Sequence, residues 1–259
     1  MNARSAAMRR CPAGQHSERK AWRVWKCLLL LVLLAETGWA LWTSPALSVR
    51  HVFVEGIFLT RPEQVIHESR IRRGSSWFFL PASRIAQRLQ GVPTVAEAVV
   101  SRGLPGRVYV RVFERQPVAL LCTADGSSWI DARSVPFWKT NRAGQLPVIR
   151  VEAPLKVTLG RAVQDKPVQT ALEILYRYVP EYQLPVAQIV VDREGNLCLN
   201  MRRGLPQVKI GDSAELPQKM LRTAELWSQP QIIQQAEYLD VSCIDKPVWK
   251  PRAEGKGAL

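Results

Sequence analysis

Residues for acid–base, metal or redox chemistry are scarce in this chain. It has three histidines in 259 residues, His16, His51 and His67, and none stands in metal-ligand spacing. H-E-x-x-H, G-x-S-x-G and glycine-rich phosphate loops are missing, which removes the commonest hydrolase and nucleotide-binding sites. Ser17-Glu18-Arg19-Lys20 fits S-x-x-K but has no Ser-Asp-Asn or Lys-Thr-Gly companion, so the match is attributed to chance. The five cysteines, Cys11, Cys27, Cys122, Cys198 and Cys243, contain no C-x-x-C pair. Three of them follow the one long apolar run, and an odd number argues against a fully paired disulfide framework. Cys122, Cys198 and Cys243 lie in apolar, strand-like contexts and are expected to be small buried hydrophobes. The expected catalytic, cofactor and metal residues are therefore none.

Acidic residues are also few: 22 against 36 lysines and arginines, a formal charge of +14. The excess is uneven. Residues 1–26 hold seven basic side chains against Glu18, and residues 44–259 hold 29 basic and 20 acidic groups, scattered rather than striped. Zinc-finger spacing, a basic heptad region and an aromatic RNP pattern are absent, so no nucleic-acid partner is expected. A basic exterior facing anionic lipid or cell-wall polymer accounts for the charge.

Long apolar runs are lacking except one, Cys27–Ser44. Eighteen residues at ~1.5 Å give ~27 Å, enough for a hydrocarbon core. Trp22 and Trp25 flank one end and Trp39 and Trp42 the other, as interfacial belts do. The basic leader predicts a cytoplasmic N-terminus and an extracytoplasmic remainder. A cleaved signal peptide, cut near Gly38-Trp39-Ala40, is the competing reading. Glu36 lies within the run, where a carboxyl must be neutral, reach the interface or meet a partner.

Beyond the run, Val49–Glu55 reads as a strand closed by Gly56. Thr60-Arg61-Pro62-Glu63 predicts a capping box opening a helix to about Arg70. Pro81–Gln90 is a second helix with Gly91 as its C-cap. Val95–Arg102 and Arg107–Arg115 are strands. In the latter Val108, Val110 and Val112 alternate with Tyr109, Arg111 and Phe113, the mark of a sheet covered on one face. The order is strand, helix, helix, strand, strand. After Glu114-Arg115-Gln116-Pro117-Val118-Ala119 the pattern turns β-rich: Val118–Cys122, Trp129-Ile130-Asp131, Val135-Pro136-Phe137 and Leu146–Ile149. Lys166–Val179 is predicted helical and stopped before Pro180. Asp192–Asn196 joins a hairpin of Ile189–Val191 and Leu197–Met201. Val208–Gly211, a helix over Leu216–Trp227 and the strand Tyr238–Cys243 follow. Pro247–Lys250 could add a short edge strand. Asp131 and Asp240 are expected to bond backbone amides.

Val52-Phe53-Val54-Glu55-Gly56, the run Val92–Arg102, Leu104-Pro105 and Glu114–Ala119, in this order outside one apolar segment, resemble the POTRA domain and junction of the bacterial cell-division family FtsQ (DivIB). Val208–Gly211, Lys219 in the following helix and Tyr238-Leu239-Asp240 extend the resemblance over about residues 22–250. Ala132-Arg133 replaces a glycine-containing turn, and Cys243 stands where the family often has an aromatic. The resemblance implies an α+β protein: a 1–26 leader, a transmembrane helix over 27–44, a POTRA domain over 49–116, an FtsQ-type β domain with two helices over 117–250 and a 251–259 tail. It implies a non-catalytic, single-pass inner-membrane scaffold at the division septum, N-terminus inside and domains outside. FtsB and FtsL would be its partners, with other division proteins meeting the POTRA domain. Its partner surface would include Tyr238, Asp240, Ser242, Cys243 and Trp249, of which Trp249, between Pro247 and Pro251, is the best exposed anchor. A POTRA-bearing membrane assembly or secretion factor and a tethered cell-wall hydrolase are the rival readings.

Overall fold

The computed structural model describes residues 15–43, 48–103, 106–202 and 204–252, without the side chains of 15–21, 23–24 and 41–43. The first fourteen leader residues, the Trp42 side chain, Ser44, Leu104-Pro105 and the tail beyond Arg252 lie outside the described residues. Gln15–Thr43 form one helix, α1. Every side chain from Trp25 to Ala40 is exposed. The Thr37 hydroxyl donates back to the Leu33 and Leu34 carbonyls at 2.8 and 3.0 Å, satisfying itself without an outside partner. Among the described residues no helix is long and apolar enough to cross a membrane.

Two compact units make up the chain: Met1–Phe53 with Ile71–Pro81 and Ser101–Tyr109, and Val54–Arg70 with Ala82–Val100 and Val110–Leu259. Strands β1 (His51–Glu55), β2 (Val95–Gly103) and β3 (Arg107–Glu114) form a sheet in the order β1-β3-β2. Helices α2 (Pro62–Ser69) and α3 (Ala82–Gln90) lie between β1 and β2 in sequence, the expected strand-helix-helix-strand-strand order. Val108, Val110 and Val112 are at most 1% exposed, so the alternation in β3 marks its covered face. In the first unit Val49 donates to the Ser75 carbonyl and Gly74 to Val49 (both 2.9 Å), and the Phe53 and Tyr109 rings stack at 5.3 Å.

The predicted capping box does not form. Arg61, not Thr60, precedes α2, and it supplies no side-chain cap. Thr60 is buried, its hydroxyl 2.7 Å from that of Thr94. The amides ahead of the helix go instead to a distant carboxylate: Phe58, Leu59 and Thr60 donate to Glu114 at 3.0, 2.9 and 2.7 Å. A local box could not compete, because Glu114 collects three amides at once. Gly91 follows α3 in a turn bonded to Arg88, without the left-handed backbone a glycine C-cap uses.

Glu114 is followed at once by a second tie within the same unit. Arg115 donates from its backbone to Thr94, from Nε to the Pro93 carbonyl at 2.9 Å, and from Nη1 to Asp131 at 2.6 Å. Both partners of that ion pair are about nine-tenths buried. The other Asp131 oxygen accepts the Arg133 and Val135 amides, as expected of this aspartate. Gly160, with φ of +80°, lies against Pro93; a Cβ there would come within 3.3 Å of the proline.

Among the described residues the second sheet has nine strands: β4 (Ala119–Thr123), β5 (Gly126–Ile130), β6 (Pro136–Lys139), β7 (Val148–Val151), β8 (Val186–Val191), β9 (Leu197–Met201), β10 (Gln207–Gly211), β11 (Ala236–Asp240) and β12 (Val248–Pro251). They run in the order β12-β11-β10-β9-β8-β7-β4-β5-β6. Leu121, Ile130, Ile149, Ile189, Leu199 and Ile210 share a core with Leu172 and Ile174 and with Met220. The last three come from α4 (Lys166–Glu173), its continuation and α6 (Leu216–Trp227). Alternating burial along β10 shows one covered and one open face. Asp165 caps α4 by accepting from Val168. Pro180 does not stop the helix: a π turn over Ile174–Tyr178 carries it into α5 (Val179–Tyr182). The wider turn accommodates a proline that has no amide hydrogen to give. A short α7 (Pro230–Gln235) adds to the two predicted helices. Lys219, 3% exposed, leaves α6 to bond the Asp212 carboxylate at 2.6 Å and its carbonyl at 3.1 Å. The cysteines depart from expectation: Cys122 and Cys198 are half-buried and Cys243 is exposed.

Burial alone would raise the Glu114 carboxyl, but hydrogen bonds from Leu59, Thr60 and Phe58 outweigh it and hold it below its ordinary 4.5. Its contribution to stability is therefore complete above about pH 4.5 and is lost as pH falls through that value toward the lowered one. Glu114→Gln is expected to cost ~1–2 kcal/mol at neutral pH and to shrink this acid limb, measured by urea melts across pH. Arg115→Ala leaves a buried carboxylate without its cation and is expected to cost ~3–5 kcal/mol. The Arg115→Ala/Asp131→Ala double variant should cost less than the two single changes added together.

Candidate partner-binding edge

Strand β12 ends the nine-stranded sheet, and among the described residues it has a neighbour on one side only. It pairs antiparallel with β11, placing Lys250 opposite Tyr238, Trp249 opposite Leu239 and Val248 opposite Asp240. Val248, Trp249, Lys250 and Pro251 are all exposed. The possible extra strand over Pro247–Lys250 is thus present, and it takes the edge from Tyr238–Cys243. The strand is short, and Arg252 pins its end by donating from its amide to the Gln235 carbonyl at 2.6 Å and from Nη2 to Gly204 at 3.0 Å.

Alternation splits the candidate residues between faces. Opposed residues share a face, so exposed Trp249 lies on the same side as buried Leu239, while Tyr238, Asp240, Val248 and Lys250 lie on the other side. Tyr238 is half-buried between two ammonium groups, Lys209 Nζ at 4.0 Å from its ring and Lys250 Nζ at 5.9 Å. Lys250 is held in turn by Glu237 at 2.8 Å, whose hydrogen bond and charge raise the Lys250 ammonium above its usual range. Asp240 turns inward on its own segment, accepting the Ser242 amide at 3.1 Å and hydroxyl at 2.5 Å. It forms a turn lock rather than a presented charge. Leu239 and Val241 are fully buried core.

The open face beside these residues holds a shallow groove of about 420 Å³, lined among others by Cys198, Lys209, Asp240 and Ser242. Burial raises the Cys198 thiol, with Lys209 opposing and Asp240 adding to the shift. Among the described residues no group of histidine, cysteine and carboxylate side chains could hold a metal ion. Backbone donors and acceptors, one tryptophan and a few charges make up this edge; such a set can bind a strand.

Residues 47–115 match the model of the POTRA domain, FtsQ-type. Over 227 residues the chain is 30% identical to "Cell division protein FtsQ" of Mycobacteroides abscessus, covering 86% of this chain and 69% of the relative. The chain belongs to the FtsQ family. The protein of the same name from Mycobacterium tuberculosis is 28% identical over 229 residues, covering 87% and 69%; that of Anaeromyxobacter sp. (strain K) is 32% identical over 108 residues, covering 39% and 37%. This FtsQ-family chain is accordingly a cell-division protein, of a family whose members are not enzymes.

At this candidate edge, Tyr238 and Trp249, which the sequence reading named, stand beside Lys209, Glu237, Val248 and Lys250, which it did not name as partner residues. The parallel pairing of β10 with β11 brings Lys209 beside Tyr238, and no local pattern announces a parallel neighbour. Cys243 and Ser242 follow β11 in the turn toward β12. Because the thiolate is the nucleophile, exposed Cys243 is expected to alkylate several-fold faster than Cys198 at neutral pH, checked by peptide mapping after brief maleimide exposure.

Proposed function

We propose that this FtsQ-family protein is a non-catalytic division scaffold, anchored once in the inner membrane, that captures FtsB and FtsL at the β12 edge. The observation that carries this reading is the exposed terminal strand with an unpaired backbone side at one end of the large sheet. An edge of this kind accepts an added strand: main-chain hydrogen bonds supply affinity, and flanking side chains supply register. Trp249 would cover apolar side chains of the partner strand on one face, with Lys250, Val248 and Tyr238 contacting its other face. Ser242 and Cys243 would border the incoming chain.

The domains proposed are a 1–26 leader, a membrane segment over 27–44, a POTRA domain over 49–116, a β domain over 117–250 and a 251–259 tail. The anchor reading rests on the Cys27–Ser44 composition, its flanking tryptophans and the basic leader. It puts the leader in the cytoplasm and both folded modules outside, where the POTRA module meets other division proteins at the septum.

Truncation after Pro247 removes β12 and is expected to abolish FtsB and FtsL capture by the full-length protein in pull-downs, while the melt of the remaining fold persists. Trp249→Ala should weaken capture about tenfold or more, in keeping with aromatic hot spots. Unchanged capture by both variants would move the partner surface elsewhere.

A further inference from the structure

The first compact unit has a charge composition unlike the rest of the POTRA region. Its segments 48–53, 71–81 and 101–109 carry Arg50, Arg72, Arg73, Arg102 and Arg107, all exposed, and no aspartate or glutamate. The remainder of 48–116 mixes six arginines with five glutamates. The same unit exposes Phe78 (59%) and Phe79 (56%), packed edge to face at 5.2 Å, besides Phe53 (43%), which stacks on Tyr109. Arginine and aromatic side chains mixed without carboxylates suit the boundary of an anionic bilayer.

The loop that carries Phe78 and Phe79 is firmly built. Trp77 Nε1 donates to the Arg107 carbonyl at 3.0 Å and Arg102 Nη1 to the Phe78 carbonyl at 2.6 Å, while Leu80 is buried behind them. Ser76 bridges Ser48, and Val49 donates to Ser75. The loop is thereby tied to the chain where it emerges from the apolar helix. Five peptide units separate Ser48 from Thr43, the end of α1, and they span at most ~18 Å. The loop cannot stray far from the end of that helix.

We propose that Phe78 and Phe79 seat in the headgroup layer of an anionic bilayer, with arginines of the same unit on the lipid phosphates. The inference rests on the membrane-anchor reading. Fixed loop ends keep the ordering cost low, and each arginine near the surface strengthens contact about fivefold. The POTRA module would then lie against the membrane on this side.

The test uses the full-length protein in vesicles of phosphatidylglycerol and phosphatidylethanolamine, with benzoylphenylalanine replacing Phe79, Leu31 or Tyr176 in turn. After irradiation, lipid adducts are expected at Phe79 and Leu31 and none at Tyr176, which is exposed in the other unit. Exchanging phosphatidylglycerol for phosphatidylcholine should lower the Phe79 adduct several-fold and leave the Leu31 adduct unchanged. Arg72→Gln/Arg73→Gln should do the same, with the thermal melt unaltered. An adduct at Leu31 without one at Phe79, or a Phe79 adduct indifferent to lipid charge, overturns the loop inference and leaves the anchor standing. No adduct at Leu31 overturns both. Phe79 cross-linking in cells to a protein or a wall polymer instead of lipid would also overturn it.

Discussion

The fold depends on two consecutive side chains at the end of β3. Glu114 gathers the amides of Phe58, Leu59 and Thr60, and Arg115 grips Pro93 and the buried carboxylate of Asp131. Glu114 closes β3 and Arg115 follows it directly, so one dipeptide holds both the start of α2 and the turn after β5. Both ties are charge-assisted, and the Arg115–Asp131 pair is largely withdrawn from water, where the loss of one partner is most costly. All the groups involved belong to one compact unit. Gly160 against Pro93 adds a close backbone approach that a larger residue would disturb.

The nine-stranded sheet is covered on one face, by α4, its π-turn extension and α6. Lys219 secures α6 by reaching the turn after β10, and its hydrogen bond and charge lower the Asp212 carboxyl below its ordinary 3.8. Along β10 the opposite face is open, and the short β12 leaves an edge. An uncovered strand edge invites aggregation unless it is brief, charged or meant for a partner. Here it is brief, carries Lys250 and ends at Pro251, which limits indiscriminate pairing. The proposed scaffold role and the proposed lipid contact draw on different parts of the chain and different physics: backbone hydrogen bonding at the sheet edge, and arginine with aromatic rings in the unit that holds the apolar segment.

Local pattern by itself determined the strand-helix-helix-strand-strand order, the covered face of β3, the β8–β9 hairpin and the exposed place of Trp249, because periods of two and 3.6 and turn residues act over a few positions. The same short range misled it at Thr60, where a box that looked complete lost its amides to a carboxylate more than fifty residues away. It misled it again at Pro180, where packing of the helix on the sheet carried the chain past a local stop through a π turn. Cys243 looked like a strand residue until β11 ended at Asp240 and left it in a solvent-facing turn. Only tertiary structure decided which strand holds the edge, that Lys209 meets Tyr238, and that arginines from three separate segments share a unit with Phe78 and Phe79. Strand neighbours and charge clusters are set by long-range pairing and burial, which sum over the whole chain and leave no mark in any short stretch of it.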